Sequence, residues 1–185
     1  YENKKFDNNN DEHSTENKYE AELIIKLIKE LIDNPHLSEY FKPTNNSPQI
    51  GVICMYKAQL NLLNREGQSL QWLRNLINNG VIKIDTVDSY QGKQNSIIIT
   101  SLVRNNSKDE IGFLRLVNRA NVALSRAQER LYIVGSSKLW TKKHTGESFG
   151  KVLTYLKNND PTYYKIMGSK NILNVLRELR NTFLF

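Results

Sequence analysis

The sequence predicts an α/β domain in which a mainly parallel sheet is covered by helices on both faces. Two observations lead there. The short apolar runs Val52-Ile53-Cys54, Ile97-Ile98-Ile99 and Leu131-Tyr132-Ile133-Val134 lack the alternation of a half-solvated strand. Such continuous runs mark strands buried on both sides. They alternate with segments whose apolar residues recur every three or four positions, as repeated βα units require. The 185 residues suffice for one domain with a sizeable core.

Taken in order, residues 1–16 are rich in Asn, Asp and Glu with almost nothing apolar, and read as a flexible polar segment. A helix begins near Tyr19, where Leu23, Leu27 and Leu31 repeat at four-residue spacing and Ile24 and Ile28 widen the stripe; Pro35 helps end it. Residues 42–48 read as a loop. Residues 49–54 read as a strand and residues 56–79 as a helix interrupted around Gly67. Residues 81–87 and 96–103 are further strands, followed by a polar loop over 104–110. Residues 117–127 read as a helix, 131–134 as a strand closed by Gly135, and 149–156 as a helix. Residues 171–183 form an amphipathic segment with Ile172, Leu176, Leu179 and Phe183 on one side, expected to pack against the domain. The implied division is a flexible segment (1–16), an α/β domain (17–160) and a helical appendage (161–185).

Composition excludes several classes. Cys54 is the only cysteine, so neither a disulfide framework nor a thiolate metal cluster is expected, and its apolar neighbours suggest an inert buried thiol. His13, His36 and His144 have no partner at metal-ligand spacing, and no metal site is assigned. No apolar run approaches a membrane span, and no signal peptide opens the chain; the expected setting is the cytoplasm, or the nucleus of a eukaryote. The net charge of +7 is uneven: residues 21–185 hold 23 Lys and Arg against 13 Asp and Glu. A basic body suits a polyanionic partner such as nucleic acid or a nucleotide.

Ligands of open α/β sheets bind beyond the carboxyl ends of the strands, which directs attention to three stretches. Tyr56-Lys57-Ala58-Gln59 follows the first strand. In Thr86 to Gln94, "TVDSYQGKQ", Asp88 and Ser89 can cap a turn, and Gly92 permits close backbone approach to a phosphate. On the helix ending at Arg126, Val117, Ala120, Leu124 and Ala127 share one face, while Arg119 and Arg126 share the opposite direction. Seven residues set those arginines roughly 10 Å apart along the axis, so both cannot grip one phosphate. One reaches a phosphoryl group while the other pairs with a carboxylate or backbone, or both are solvated.

The stretches "IGVICMYKAQ", "IDTVDSYQGKQNSIIITSLVR" and "IGFLRLVNRANVALSRAQERLYIVG", in that order, resemble the last motifs of superfamily 1 helicases. The branch is that of the nonsense-mediated-decay and DNA-replication helicases, whose second RecA-like domain reads approximately TPYxxQ, VDSFQGxE and RxNVALTRA. Asn17-Lys18-Tyr19-Glu20-Ala21 resembles the N-x-x-EA start of that domain's first helix. The resemblance runs from Asn17 to about Asn158 and implies a RecA-like P-loop NTPase fold. It makes Arg126 an arginine finger on the ATP γ-phosphate, and sets Gln91, Gly92, Gln94 and Arg119 on the nucleotide side. Tyr56, Gln59, Thr86, Asp88 and Ser89 fall on the nucleic-acid side.

Three positions depart from the pattern. Gln94 replaces the usual glutamate and loses its charge, Cys54-Met55 replaces Thr-Pro, and Ser125 replaces threonine. The chain contains no G-x-x-x-x-G-K-[ST] motif, no DE pair after a strand, and no QYRMHP-like stretch. The expectation is therefore the C-terminal motor domain of an ATP-dependent helicase or translocase, inert alone. Its N-terminal RecA-like partner domain would supply the P-loop and the Mg2+ ligands, and single-stranded DNA or RNA would be its track. The alternatives are a degenerate helicase-like module that binds nucleic acid or a protein, and a generic nucleotide-binding α/β domain.

Overall fold

A computed structural model describes residues 15–37, 49–106 and 109–159. The amphipathic segment at 171–183 and nearly all of the polar segment at 1–16 lie outside the described residues; Thr15 and Glu16, at the end of the latter, are buried. Among the described residues no helix is long and apolar enough to cross a membrane.

Four strands form one sheet in the order β2-β1-β3-β4: β1 (Ile50–Cys54), β2 (Ile82–Thr86), β3 (Asn95–Ser101) and β4 (Ala127–Val134). All neighbouring pairs are parallel. Cys54 aligns with Thr86 and Ser101, and Ser101 with Val134, so the four strands end in one row. Side-chain alternation divides the core. Val52, Cys54, Ile97 and Ile99 pack against α1 (Lys18–Asp33), α2 (Lys57–Ser69) and α3 (Gln71–Asn78). On the other face, Ile53 and Ile98 pack with α4 (Val117–Ser125), α5 (Ser137–Lys142) and α6 (Ser148–Asn158). The expected α/β class, with helices on both faces of a parallel sheet, is what forms.

Local departures from the sequence reading have physical causes. The helical segment at 56–79 breaks at Leu70, which is extended (φ −100°, ψ 106°), and Gly67 stays inside α2. Gly67 serves packing: a Cβ there would lie 3.2 Å from Ile77 Cδ1, so its bare backbone lets α3 fold back on α2. The helix expected over 117–127 ends at Ser125, and β4 starts at Ala127, four residues before the apolar run at 131–134. β4 is an edge strand whose first turns carry exposed Gln128 and Glu129, which hides its start from a hydrophobicity pattern. Between β2 and β3 the chain crosses β1 with only a 3-10 turn, Asp88–Tyr90. Tyr90 lies over Gly51, whose missing side chain leaves room for the phenol, and Tyr90 Oη hydrogen-bonds Asn95 Oδ1 at 2.9 Å.

Candidate functional site

The parallel sheet sorts the candidate residues onto two edges. Tyr56, Gln59, Thr86, Asp88 and Ser89 follow β1 and β2 at the carboxyl edge. Arg126 directly precedes β4, and the turn from Gln91 to Gln94 directly precedes β3, both at the amino edge. Seven residues of β3 separate the edges, roughly 20 Å at the rise of a strand. The expectation that all three stretches gather beyond the carboxyl ends is corrected on this point: Arg126 and the glycine turn belong to the opposite side.

At the amino edge Arg126 caps α4 (φ −90°, ψ −16°), and its carbonyl accepts the Asn95 N–H at 3.1 Å, joining the helix end to the start of β3. Its guanidinium meets only neutral oxygens. Nε and Nη2 donate to Ser125 Oγ at 3.3 and 2.9 Å, and Nη1 to the Lys93 carbonyl at 3.4 Å. Among the described residues no carboxylate pairs with it. Gln91, Gly92, Lys93 and Gln94 are exposed. Gly92 has φ +79° with open space where a Cβ would sit, so the glycine serves the left-handed turn rather than making room. A left-handed turn of exposed residues beside an arginine with no acidic partner among the described residues can take an anion.

At the carboxyl edge Thr86, at the strand end, caps the turn; Asp88 does not. Thr86 Oγ1 accepts the Ser89 N–H at 3.4 Å and donates to Ser89 Oγ at 3.1 Å. Asp88 is free of that duty and takes Arg119 in a two-pronged pair, Nε to Oδ1 at 3.0 Å and Nη2 to Oδ2 at 2.7 Å. Of the two arginines on α4, Arg119 is therefore the one paired with a carboxylate. It lies seven residues earlier on that helix, on the side of the carboxyl edge.

Tyr56 and Gln59 are buried, and each organises backbone. Tyr56 Oη accepts from Arg104 Nε at 3.0 Å and from the Phe113 N–H at 3.2 Å, and donates to the Ile111 carbonyl at 3.4 Å. Gln59 Oε1 accepts the Asn17 N–H at 2.7 Å, and Gln59 Nε2 donates to the Asn17 carbonyl at 3.2 Å. Neither polar group reaches the surface in this conformation.

The sequence reading gave no role to Glu20, Val103, Arg104 or Phe113, all of which meet here. The strands on either side of the β1–β3 boundary connect in opposite directions, the crevice where such sheets take ligands. In this chain the start of α1 fills it. Asn17 Oδ1 caps the helix by accepting the Glu20 N–H at 3.1 Å, and Asn17 Nδ2 donates to the Val103 carbonyl at 3.1 Å. Glu20 Oε2 accepts the Val103 N–H at 2.9 Å and the Ser101 hydroxyl at 2.8 Å. Both backbone groups of Val103 are thereby held at φ +69°, a strained position for a β-branched residue. Burial pushes the Glu20 carboxyl up to about 7, against the two hydrogen bonds that favour its ionised form. The signal for this cluster was the Asn-x-x-Glu spacing of a capping box.

Cys54, fully buried, has its thiol pushed far up by desolvation, which fits the inert reading. Among the described residues no group of three His, Cys, Asp or Glu side chains is arranged to hold a metal.

Residues 1–138 match the family described as AAA domain. Helicase sen1 of Schizosaccharomyces pombe is 37% identical over 123 residues, covering 66% of this chain and 7% of that protein. DNA polymerase alpha-associated DNA helicase A of Saccharomyces cerevisiae is 39% identical over 116 residues, covering 60% of this chain and 15% of that protein. The NFX1-type zinc finger-containing protein 1 homolog of Caenorhabditis elegans is 37% identical over 143 residues, 71% of this chain and 5% of that protein. The chain thus spans 15% or less of the length of these relatives.

Proposed function

The chain belongs to the AAA-domain family, as a helicase-like domain with a RecA-like α/β fold, and from that premise we propose that it is the C-terminal motor domain of an ATP-dependent superfamily 1 helicase or translocase. Its amino edge would face an N-terminal RecA-like domain carrying the P-loop and the Mg2+ ligands. Its carboxyl edge would grip single-stranded DNA or RNA, in the cytoplasm or a nucleus. The observation that carries this reading is the amino-edge pairing of Arg126, which has only neutral partners among the described residues, with the exposed Gly92 turn.

The residues at that edge fit the terminal phosphates of a nucleotide. When bound, ATP supplies the phosphoanhydride that is hydrolysed. Arg126 would donate to the γ-phosphoryl oxygens as charge develops on them, an effect worth about 10³–10⁵ in rate for such fingers. The amides of the Gln91-Gly92 turn would approach the same group, and the neutral Gln94 side chain would donate or accept a hydrogen bond where the motif it resembles has glutamate. Arg119, paired with Asp88, would tie the strand side to this helix.

Proteins named as helicases among the relatives support the reading. The expected result with the isolated 185-residue chain is no ATP turnover with or without single strands, since it contains no P-loop lysine. Phosphate release measures this. A turnover that survives repurification and disappears in Arg126→Ala would sink the half-motor reading.

A further inference from the structure

Three of the exposed large apolar side chains among the described residues lie close together at the carboxyl edge: Phe113 (36% exposed), Leu116 (39%) and Val117 (61%). Phe113 belongs to a cluster of flat groups. Its ring centroid is 5.9 Å from that of Tyr56. The Arg104 guanidinium lies 5.2 Å from the Tyr56 centroid, and that of Arg119 lies 4.9 Å from the Phe113 centroid.

Each member is fixed. The Tyr56 hydroxyl holds Arg104 Nε and the Phe113 N–H, and Asp88 holds Arg119 in a planar fork. Lys57, next to Tyr56, and Arg115, next to the Phe113-Leu114 pair, are exposed. An apolar surface this small, bordered by cations, matches a ligand with flat apolar faces joined by negative charge. Unpaired nucleic acid has that chemistry, because bases stack on aromatic rings and on guanidinium planes while Lys and Arg meet the phosphates.

We propose that Phe113, backed by Tyr56 and flanked by Arg119, is a stacking platform for an unpaired nucleobase, with Lys57 and Arg115 facing the strand's phosphates. The platform rests on the reading that this domain grips a single strand, and it moves Arg119 from the nucleotide side to the strand side.

The experiment measures binding of the full-length protein to labelled oligo(dT) and oligo(rU), each about 15 nucleotides long, within the range of strand-binding site sizes. Each is compared with its abasic counterpart across a salt series. The unsubstituted protein is expected to prefer intact over abasic strands. Phe113→Ala should weaken intact-strand binding about tenfold or more, leave abasic binding unchanged, and keep the salt slope, because stacking releases no counterions. Phe113→Leu keeps apolar packing without a π-face and should behave like Phe113→Ala, with a melt near that of the unsubstituted protein; Phe113→Trp should retain the preference. If Phe113→Ala discriminates between intact and abasic strands as well as the parent does, the platform is wrong. Equal binding of intact and abasic strands by the unsubstituted protein overturns the platform alone. No binding of any strand overturns both the platform and the strand-gripping reading.

Discussion

At Glu20 two hydrogen bonds oppose the cost of removing a carboxylate from water, and the cost wins. The group is 4% exposed and its pKa rises from 4.5 to about 7. A folded-state value above the unfolded one means that the native protein holds the extra proton. Glu20's contribution to stability is therefore complete below pH 4.5 and is lost as pH rises through about 7. Chemical unfolding of the native protein and of Glu20→Gln over pH 4.5–8 should show the difference between them changing by about 3 kcal/mol, with Glu20→Gln the less pH-sensitive. Parallel curves would contradict the buried-acid account. The capping-box spacing of Asn17 and Glu20 was visible in the sequence, but the use made of it was not. In a capping box the acid reaches back to the cap residue's own N–H. Here Gln59, 42 residues away, takes that N–H and leaves Glu20 for Ser101 and Val103. Contacts of such separation leave no local periodicity to read.

At the scale of elements, α4 and the crossover from β2 to β3 run side by side between the two sheet edges and are pinned at both ends. Asp88 meets Arg119 at one end; Lys93 and Asn95 meet Arg126 at the other. Asp88→Ala should change stability by no more than about 1 kcal/mol, since Asp88 is largely exposed. It should nevertheless lower stimulation of ATP turnover by single strands while sparing turnover without them; intact stimulation would argue that the pin transmits nothing. The crossover's other anchor is Tyr90 over Gly51. Gly51→Ala forces the phenol, Ile98 and Asn95 aside and should cost about 1–3 kcal/mol in thermal or urea unfolding. A melt equal to the parent's would mean that the crossover does not rest there. The strands β1 and β3 were legible because both faces are buried around the continuous apolar runs Val52-Ile53-Cys54 and Ile97-Ile98-Ile99. The start of β4 was not, because an edge strand carries polar residues that resemble a loop. Laying residues 117–127 on one helix set Arg126 within the helix; it is the residue at which the helix stops.

For the whole molecule, the proposed function divides labour between the edges: nucleotide chemistry before the strands, strand contact after them. The motifs led to the residues of both groups, since Gly92, Arg126, Asp88 and Arg119 lie in quoted stretches. Which edge each occupies was hidden, because a motif that spans a whole crossover delivers residues to both ends. Arg126 gives the most direct test. In the full-length protein, steady-state ATP hydrolysis with saturating single strand should fall in kcat by on the order of 10³ for Arg126→Ala. Arg126→Lys should not restore it, because an ammonium lacks the planar two-pronged contact. Strand affinity should be unchanged, since the guanidinium contacts the amino-edge turn and not the platform residues, and stability should stay within about 0.5 kcal/mol. A kcat near that of the unsubstituted protein, with an unchanged melt, would return Arg126 to the solvated surface and contradict the assignment of the amino edge to the nucleotide.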